Sequence, residues 1–208
     1  MKKTLTILLG LVLGLSLHAR SDWFRYEPEL RFGVHAGYVR SNMIEELPIG
    51  TKGSLSPEGG VRAGLDLSFS VFNWLELGSG LNFIGLCSRD EAWFNNVYRA
   101  SYVEFPLNLR LKQSVFWLEM AIFGGVYGAL GIGGSSRNEV GSYPFFGPDG
   151  IATRGDFGLN AGVELTLFGH YRLSAGYRHG LIDISNGTLA NGARLYNEAL
   201  VCSISYIF

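Results

Sequence analysis

A chain of 208 residues is long enough for one domain with a sizeable core, and its two cysteines are too few to frame a disulfide-stapled fold. A formal net charge of −1, with no basic patch, leaves no footing for nucleic-acid binding. Glycine numbers 29, about twice the usual share, and charged residues make up 17%, below the usual ~25%. A membrane barrel accounts for both, since its outer face takes no charge and its crowded interior uses small residues; a soluble all-β sandwich is the competing reading.

The chain opens with a secretory signal. Lys2 and Lys3 form a positive n-region, Leu5 to Leu17 an apolar h-region, and Leu17-His18-Ala19 resembles a small-residue cleavage site. The expected division is a cleaved signal peptide at 1–19 and a barrel domain at 20–208. The apolar run is shorter than the ~20 residues a spanning helix needs, and no later segment supplies one. A closed barrel, which pairs every backbone donor and acceptor, is then the ready way across a membrane.

Eight runs of strand character follow: Leu30–Arg40, Gly60–Val71, Trp74–Leu86, Ser101–Leu111, Val115–Leu130, Asp156–Leu167, Tyr171–Asp183 and Leu195–Phe208. The sixth is the plainest. Phe157, Leu159, Ala161, Val163, Leu165 and Leu167 alternate with Gly158, Asn160, Gly162, Glu164 and Thr166, the period of two that marks a strand. Connections alternate between short (Phe72-Asn73, Lys112-Gln113-Ser114, Phe168-Gly169-His170) and long (Ser41–Gly59, Cys87–Ala100, Gly131–Gly155, Ile184–Arg194). The prediction is an all-β, eight-stranded antiparallel transmembrane β-barrel with short periplasmic turns and longer extracellular loops.

Aromatic residues should gather in two interfacial girdles. Phe69, Phe72, Trp74, Phe116, Trp117, Phe168, Tyr171, Tyr206 and Phe208 fall near the periplasmic rim. Near the outer rim fall Tyr38, Phe83, Tyr98, Tyr102, Tyr127, Phe157, Tyr177 and Tyr196. Cys87 is expected at the outer end of a strand and Cys202 on the lipid face, both as free thiols.

Parity points the other face inward. Its members include Glu29, Arg31, His35, Arg62, Asp66, Glu76, Asn82, Glu104, Asn108, Arg110, Glu119, Asn160, Glu164, Arg172 and Arg178. An eight-stranded barrel has room inside only for side chains, so these charges are expected to pair into a plug. The planar fork of arginine suits that better than lysine. A gated ion path or proton relay is the functional alternative. Paired carboxylates also serve acid–base catalysis, but nothing singles out two of them. Among the histidines, His35 points into the lumen, His170 lies in a turn and His179 faces lipid near the outer rim, loosely grouped with Asp183 and Ser185. Gly128-Ala129-Leu130-Gly131-Ile132-Gly133-Gly134 lacks the helix that a phosphate loop requires and reads as a glycine-rich strand exit. No catalytic residue, cofactor or metal site is predicted. On the long loops Trp93, Phe94, Tyr143, Phe145 and Phe146 are candidate partner or glycan contacts, the other reading being that they fold over the barrel mouth or anchor in the lipid interface.

Four segments carry a family resemblance. They are Phe32-Gly33-Val34-His35-Ala36-Gly37-Tyr38, Tyr102-Val103-Glu104-Phe105-Pro106-Leu107-Asn108-Leu109-Arg110, Asp156-Phe157-Gly158-Leu159-Asn160-Ala161-Gly162 and Tyr177-Arg178-His179-Gly180-Leu181-Ile182-Asp183-Ile184. Together the chain resembles the PorT-like small outer-membrane β-barrel family of Bacteroidetes, with Phe105 standing where that family carries an aliphatic residue. The end of the chain, with Ile204, Tyr206 and Phe208 at alternate positions, resembles the β-signal read by the outer-membrane barrel-assembly machinery. The resemblance implies an integral outer-membrane protein without a shared catalytic residue, and a name-giving member that takes part in protein secretion. The expected function is non-enzymatic: a barrel with a side-chain-plugged lumen, structural or interacting, an accessory of secretion or surface assembly. Its expected partners are outer-membrane lipid, the assembly machinery and a candidate protein partner at the extracellular loops. The alternatives are a small channel and a rim-sited enzyme.

Overall fold

The computed structural model describes residues 28–48, 52–90, 96–138, 141–187 and 192–208. The segment expected to be a signal peptide, Trp93 and Phe94 lie outside the described residues. In chain order the strands are β1 (Glu29–Glu46), β2 (Lys52–Ser54), β3 (Ser56–Phe72), β4 (Leu75–Asp90), β5 (Asn96–Val115), β6 (Leu118–Arg137), β7 (Ser142–Pro144), β8 (Gly155–Leu167), β9 (Tyr171–Gly180) and β10 (Arg194–Ile207). The eight long strands pair in sequence, all antiparallel, and β10 returns to β1 in register from Gly33 opposite Ile207 to Glu46 opposite Arg194. That seam closes the ring, and closure leaves no long edge strand to be protected. β2 and β7 are short additions to the outer ends of β1 and β6.

Alternation decides which way each side chain points. The outward row of β5 is Val103, Phe105, Leu107, Leu109 and Leu111, and Phe105 and Leu107 are 60% and 58% exposed. Similar rows run along every long strand, through Leu65, Ile122, Val163, Leu173 and Ile204. A soluble surface rarely carries a contiguous apolar patch of this extent, whereas a bilayer accepts it as solvent. The inward row holds the buried polar residues, among them Glu76, Glu104, Arg110, Arg172 and Arg178. This is the inside-out pattern of a transmembrane barrel. Among the described residues no helix is long and apolar enough to cross a membrane.

At the short-turn end the aromatic girdle forms as predicted. Trp117 stacks on Phe168 (centroids 5.4 Å apart), Tyr171 meets Tyr206 edge-on, and Tyr206 meets Phe208 edge-on. Phe116 and Phe168 hold positive φ of 56° and 53° at their turns. Phe208 and Ile207 donate their N–H groups to the carbonyls of Phe32 and His170, tying the end of the chain to both neighbouring strands.

Several boundaries differ from the sequence reading. Lys112-Gln113-Ser114 belongs to β5 and the turn lies at Phe116-Trp117; the turn expected at Phe72-Asn73 lies at Asn73-Trp74. On the loop side the strands overrun: β1 reaches Glu46, β4 Asp90 and β6 Arg137, while β5 begins at Asn96. Here the apolar outward row gives out, while the inward row stays buried: Met43 and Ala100 pack in one cluster with Phe145 and Phe146. β9 in contrast stops at Gly180, short of the expected Asp183. Cys87 and Cys202 are free, with Cys202 exposed on the outer face.

Candidate functional site

The lumen is filled by ion pairs arranged in tiers. Lowest, Arg31 Nη2 lies 2.6 Å from Glu29 and its Nη1 3.8 Å from Glu119, near the short-turn mouth. Glu29 itself is half exposed there, so it is a rim residue and not the lumen residue its parity suggested. Lys112 reaches Glu76 at 3.3 Å and Glu119 at 3.9 Å, and its ammonium donates to Ser70.

At mid-height four side chains close a ring. Arg110 contacts Glu76 at 3.2 Å and Glu164 at 3.0 Å; Arg172 contacts the same two carboxylates, each at 3.6 Å. Glu76 and Arg110 are direct cross-strand neighbours on β4 and β5, whereas Glu164 and Arg172 come from β8 and β9 across the lumen. Each carboxylate is shared by two guanidinium groups, which compensates a desolvation that would cost several kcal/mol per isolated ion. Gly78 leaves the space: a Cβ there would overlap the Arg110 guanidinium. Beside the ring, His35 Nδ1 lies 3.1 Å from Asp66 Oδ2.

Above it, Arg178 Nη1 lies 3.0 Å from Glu104 Oε2 and its Nη2 3.3 Å from Asp156 Oδ2, while the guanidinium sits 4.0 Å over the Tyr127 ring. Arg62 approaches Glu104 at 3.8 Å, and Asn82 donates to Glu104. Asp156 also accepts from Tyr127 and from Asn197, and Asn197 donates to Tyr102.

An aromatic lid completes the stack. Phe145 and Phe146, on the connection between β6 and β8, are buried rather than presented to partners. Phe146 meets Tyr102 edge-on at 5.4 Å and Phe145 at 4.9 Å, and Phe145 packs on Tyr98. Gly131 makes room, since a Cβ there would stand 2.5–2.8 Å from the Phe146 ring. The glycine run is therefore not a strand exit; β6 continues through it, and its bare inward face receives the lid. Tyr143 alone of the described loop aromatics is exposed.

All ten charges predicted for the lumen are ion-paired, in three groups: Arg31, Glu119, Glu76, Arg110, Glu164 and Arg172 in the lower tiers, Arg62, Glu104 and Arg178 above them, and Asp66 with His35. Sequence reasoning missed Lys112 and Asp156, although both share the parity of inward neighbours, Arg110 and Asn160. It also sent Tyr102 and Tyr127 to the outer girdle, where the structure buries both in the lumen. The parity of Glu104 was the available signal for Tyr102. The girdle itself is carried by Tyr38, Phe83, Phe157 and Tyr177, all exposed. Among these side chains lies a cavity of about 60 Å³, room for a few waters.

No protein-family model and no curated protein matches the chain. Among solved structures it is similar to Ail of Yersinia pestis, crystallised with the heparin analogue sucrose octasulfate, at 13% identity, with 86% of this chain and 99% of that one covered and a TM-score of 0.46. It is similar also to Neisserial surface protein A (10% identity, 86% and 98% covered, TM-score 0.47). A third is the outer-membrane protease OmpT of Escherichia coli (11%, 91% and 100%, TM-score 0.41). A barrel of this kind is a scaffold, and activity lives in the residues set upon it.

A polar cluster stands on the outside of the barrel. His179 Nδ1 lies 3.1 Å from Glu198 Oε1, and the Tyr177 hydroxyl donates to the same oxygen. Asp183, expected near His179, spends its carboxylate accepting the backbone N–H groups of Ser185 and Leu195.

Proposed function

We propose that this chain is an integral outer-membrane barrel of the PorT-like family, exported by its signal peptide. Its work is structural or interactive rather than enzymatic, as an accessory of protein secretion or surface assembly. The observation that carries the reading is the interleaving of charge. Arg110, Arg172 and Arg178 each touch carboxylates from two different strands, so neither sign lines a wall of its own. A conducting path needs a continuous wet route with binding weak enough to release the ion, and closed ion pairs under an aromatic lid oppose both. With ion pairs filling the lumen, the surfaces offered to partners among the described residues include the loop end, where Tyr143 is exposed, and the apolar belt. The row Ile204, Tyr206 and Phe208 faces outward, as recognition by the assembly machinery would require.

Two measurements test it together. After refolding is confirmed by heat-modifiable migration on a gel, planar-bilayer recording should give no steady conductance, and affinity purification from the native membrane should retain a protein partner. A reproducible open level would put the channel reading first. The rim-sited enzyme reading rests on His179 and Glu198; turnover of an outer-membrane substrate that His179→Ala abolishes would favour it.

A further inference from the structure

Three arginines meet on the outer face of β4, β5 and β6. Arg89 on β4 and Arg137 on β6 both lie directly opposite Val97 of β5, and Arg99 lies one outward row below, between Cys87 and Ser135. The residues that alternate with them, Ser88, Ala100 and Ser136, are buried on the inward side. Arg89 already has an anion, its Nε 2.8 Å from Glu58. Arg99 and Arg137 are exposed and, among the described residues, have no ion-pair partner.

A bulge puts Arg137 there. Along the lower part of β6 the even-numbered residues face outward, through Ile122 and Leu130. Tyr102 then lies opposite Gly131 but Ser101 opposite Gly133, so that Ile132 is an extra residue in β6. Beyond it the odd-numbered residues face outward, and Arg137 joins Arg99 where an unbroken ladder would have turned it inward. Re-aiming a side chain is what bulges do. Here it brings two like charges to diagonal positions ~7–8 Å apart, where they repel unless an anion lies between them.

Depth gives the setting of that anion. The outward row of β5 is apolar from Leu111 to Val103, and Ser101 and Arg99 follow. At ~3.3 Å per residue and a tilt of ~40°, Arg99 stands ~30 Å above Leu111, ~5 Å beyond a belt ~25 Å tall. Arg137, two residues past Ser135, reaches ~5 Å further out. Both side chains therefore leave the barrel wall at the level of the lipid headgroups. The outward row beneath them is Gly85, Ser101 and Gly133, so no bulky side chain bars a headgroup from the guanidinium groups.

Charge selects the headgroup. Two unmatched cations call for a dianion, and a phosphomonoester carries about −1.5 to −2 at neutral pH where a phosphodiester carries a single charge. The planar fork of arginine suits phosphate oxygens. We infer that Arg99 and Arg137 seat the phosphomonoester headgroup of an outer-leaflet lipid between them, on the outer face of β5 and β6. The inference rests on the outer-membrane reading above.

Cys87, directly opposite Arg99 on the same face, makes the seat readable in the unaltered chain, and Cys202 on β10 is the distant control. The refolded barrel in non-ionic detergent micelles is alkylated with a maleimide, with and without added lipid. The lipids are phosphatidic acid, a monoester, and phosphatidylglycerol, a diester, with the same acyl chains. Phosphatidic acid is expected to slow alkylation of Cys87 about tenfold more than phosphatidylglycerol does, while Cys202 shows no such preference. Arg99→Gln and Arg137→Gln should each raise the phosphatidic acid concentration needed for protection about tenfold, the loss of one hydrogen bond to a charged group. Arg40→Gln, an exposed arginine of β1, should leave it unchanged. Equal protection by the two lipids, protection by inorganic phosphate alone, a loss on Arg40→Gln as large as on Arg99→Gln, or protection that survives both seat substitutions would overturn the inference. Heat-modifiable migration is followed throughout. A chain that shifts but shows no preference for the monoester sinks the seat alone, and a wild-type chain that never shifts sinks the barrel reading with it.

Discussion

Arg178 on β9 and Glu104 on β5 meet at 3.0 Å although their strands are not neighbours in the sheet; the contact crosses the lumen. A link of that kind does what no ladder hydrogen bond does: it ties opposite walls of the cylinder together. It also makes each partner dependent on the other, because both are buried.

Removing one of the two therefore costs more than removing both. Glu104→Leu should destabilise the barrel by about 3–5 kcal/mol, since it strands Arg178 and Arg62 with fewer anions. Adding Arg178→Met should recover part of that loss. Urea unfolding from lipid vesicles would measure the cycle, and simple additivity of the single costs would count against the plug.

On the outer face the sign of the environment is reversed. Val163→Arg replaces an exposed apolar residue of the belt and should cost about 2–4 kcal/mol in a bilayer, falling to nearly nothing at interfacial depth. The same vesicle titration reads it. Indifference to arginine at Val163 and also at Leu107 would mean that water, not lipid, surrounds the belt.

The lid has its own handle. Gly131→Val would put methyl groups where the Phe146 ring lies, and overpacking of this kind costs about 1–3 kcal/mol. The expected result is release of the connection between β6 and β8, read as faster cleavage within 138–154 by an added protease while the barrel itself stays intact. Unchanged cleavage would mean that Phe146 is not what holds that segment down.

Assembly and stability should separate at the last residue. Phe208 is exposed and contributes its backbone N–H, not its ring, to the seam with Phe32. Phe208→Ala is thus expected to leave the unfolding midpoint nearly unchanged while slowing insertion by reconstituted assembly machinery, scored as the heat-modifiable fraction against time. A large fall in the midpoint with normal insertion kinetics would reverse that assignment.

Period-two alternation, two turns' worth of aromatic punctuation and the spacing of short and long connections made the barrel legible from the chain alone. Each is a local property, written in neighbouring residues. The inward parity of Glu104, Arg110, Glu164 and Arg178 was legible for the same reason. Parity failed where local signals competed: Lys112 looked like a turn residue, and Tyr102 and Tyr127 looked like girdle aromatics. All three point inward because the register of β5 and β6 carries them there.

Pairing was another matter. Which arginine meets which carboxylate depends on closure at the seam between β1 and β10, which fixes how far each wall is displaced against the one facing it. Nothing within a single strand encodes that displacement. The burial of Phe145 and Phe146 likewise needed the bare inward face of Gly131 to be brought beneath them. The sequence by itself determined the faces: lipid outside, charge inside, aromatics at the lower rim. Only the tertiary structure decided the partners, because partnership across a closed ring is set by the shear of the whole sheet and not by any stretch of the chain.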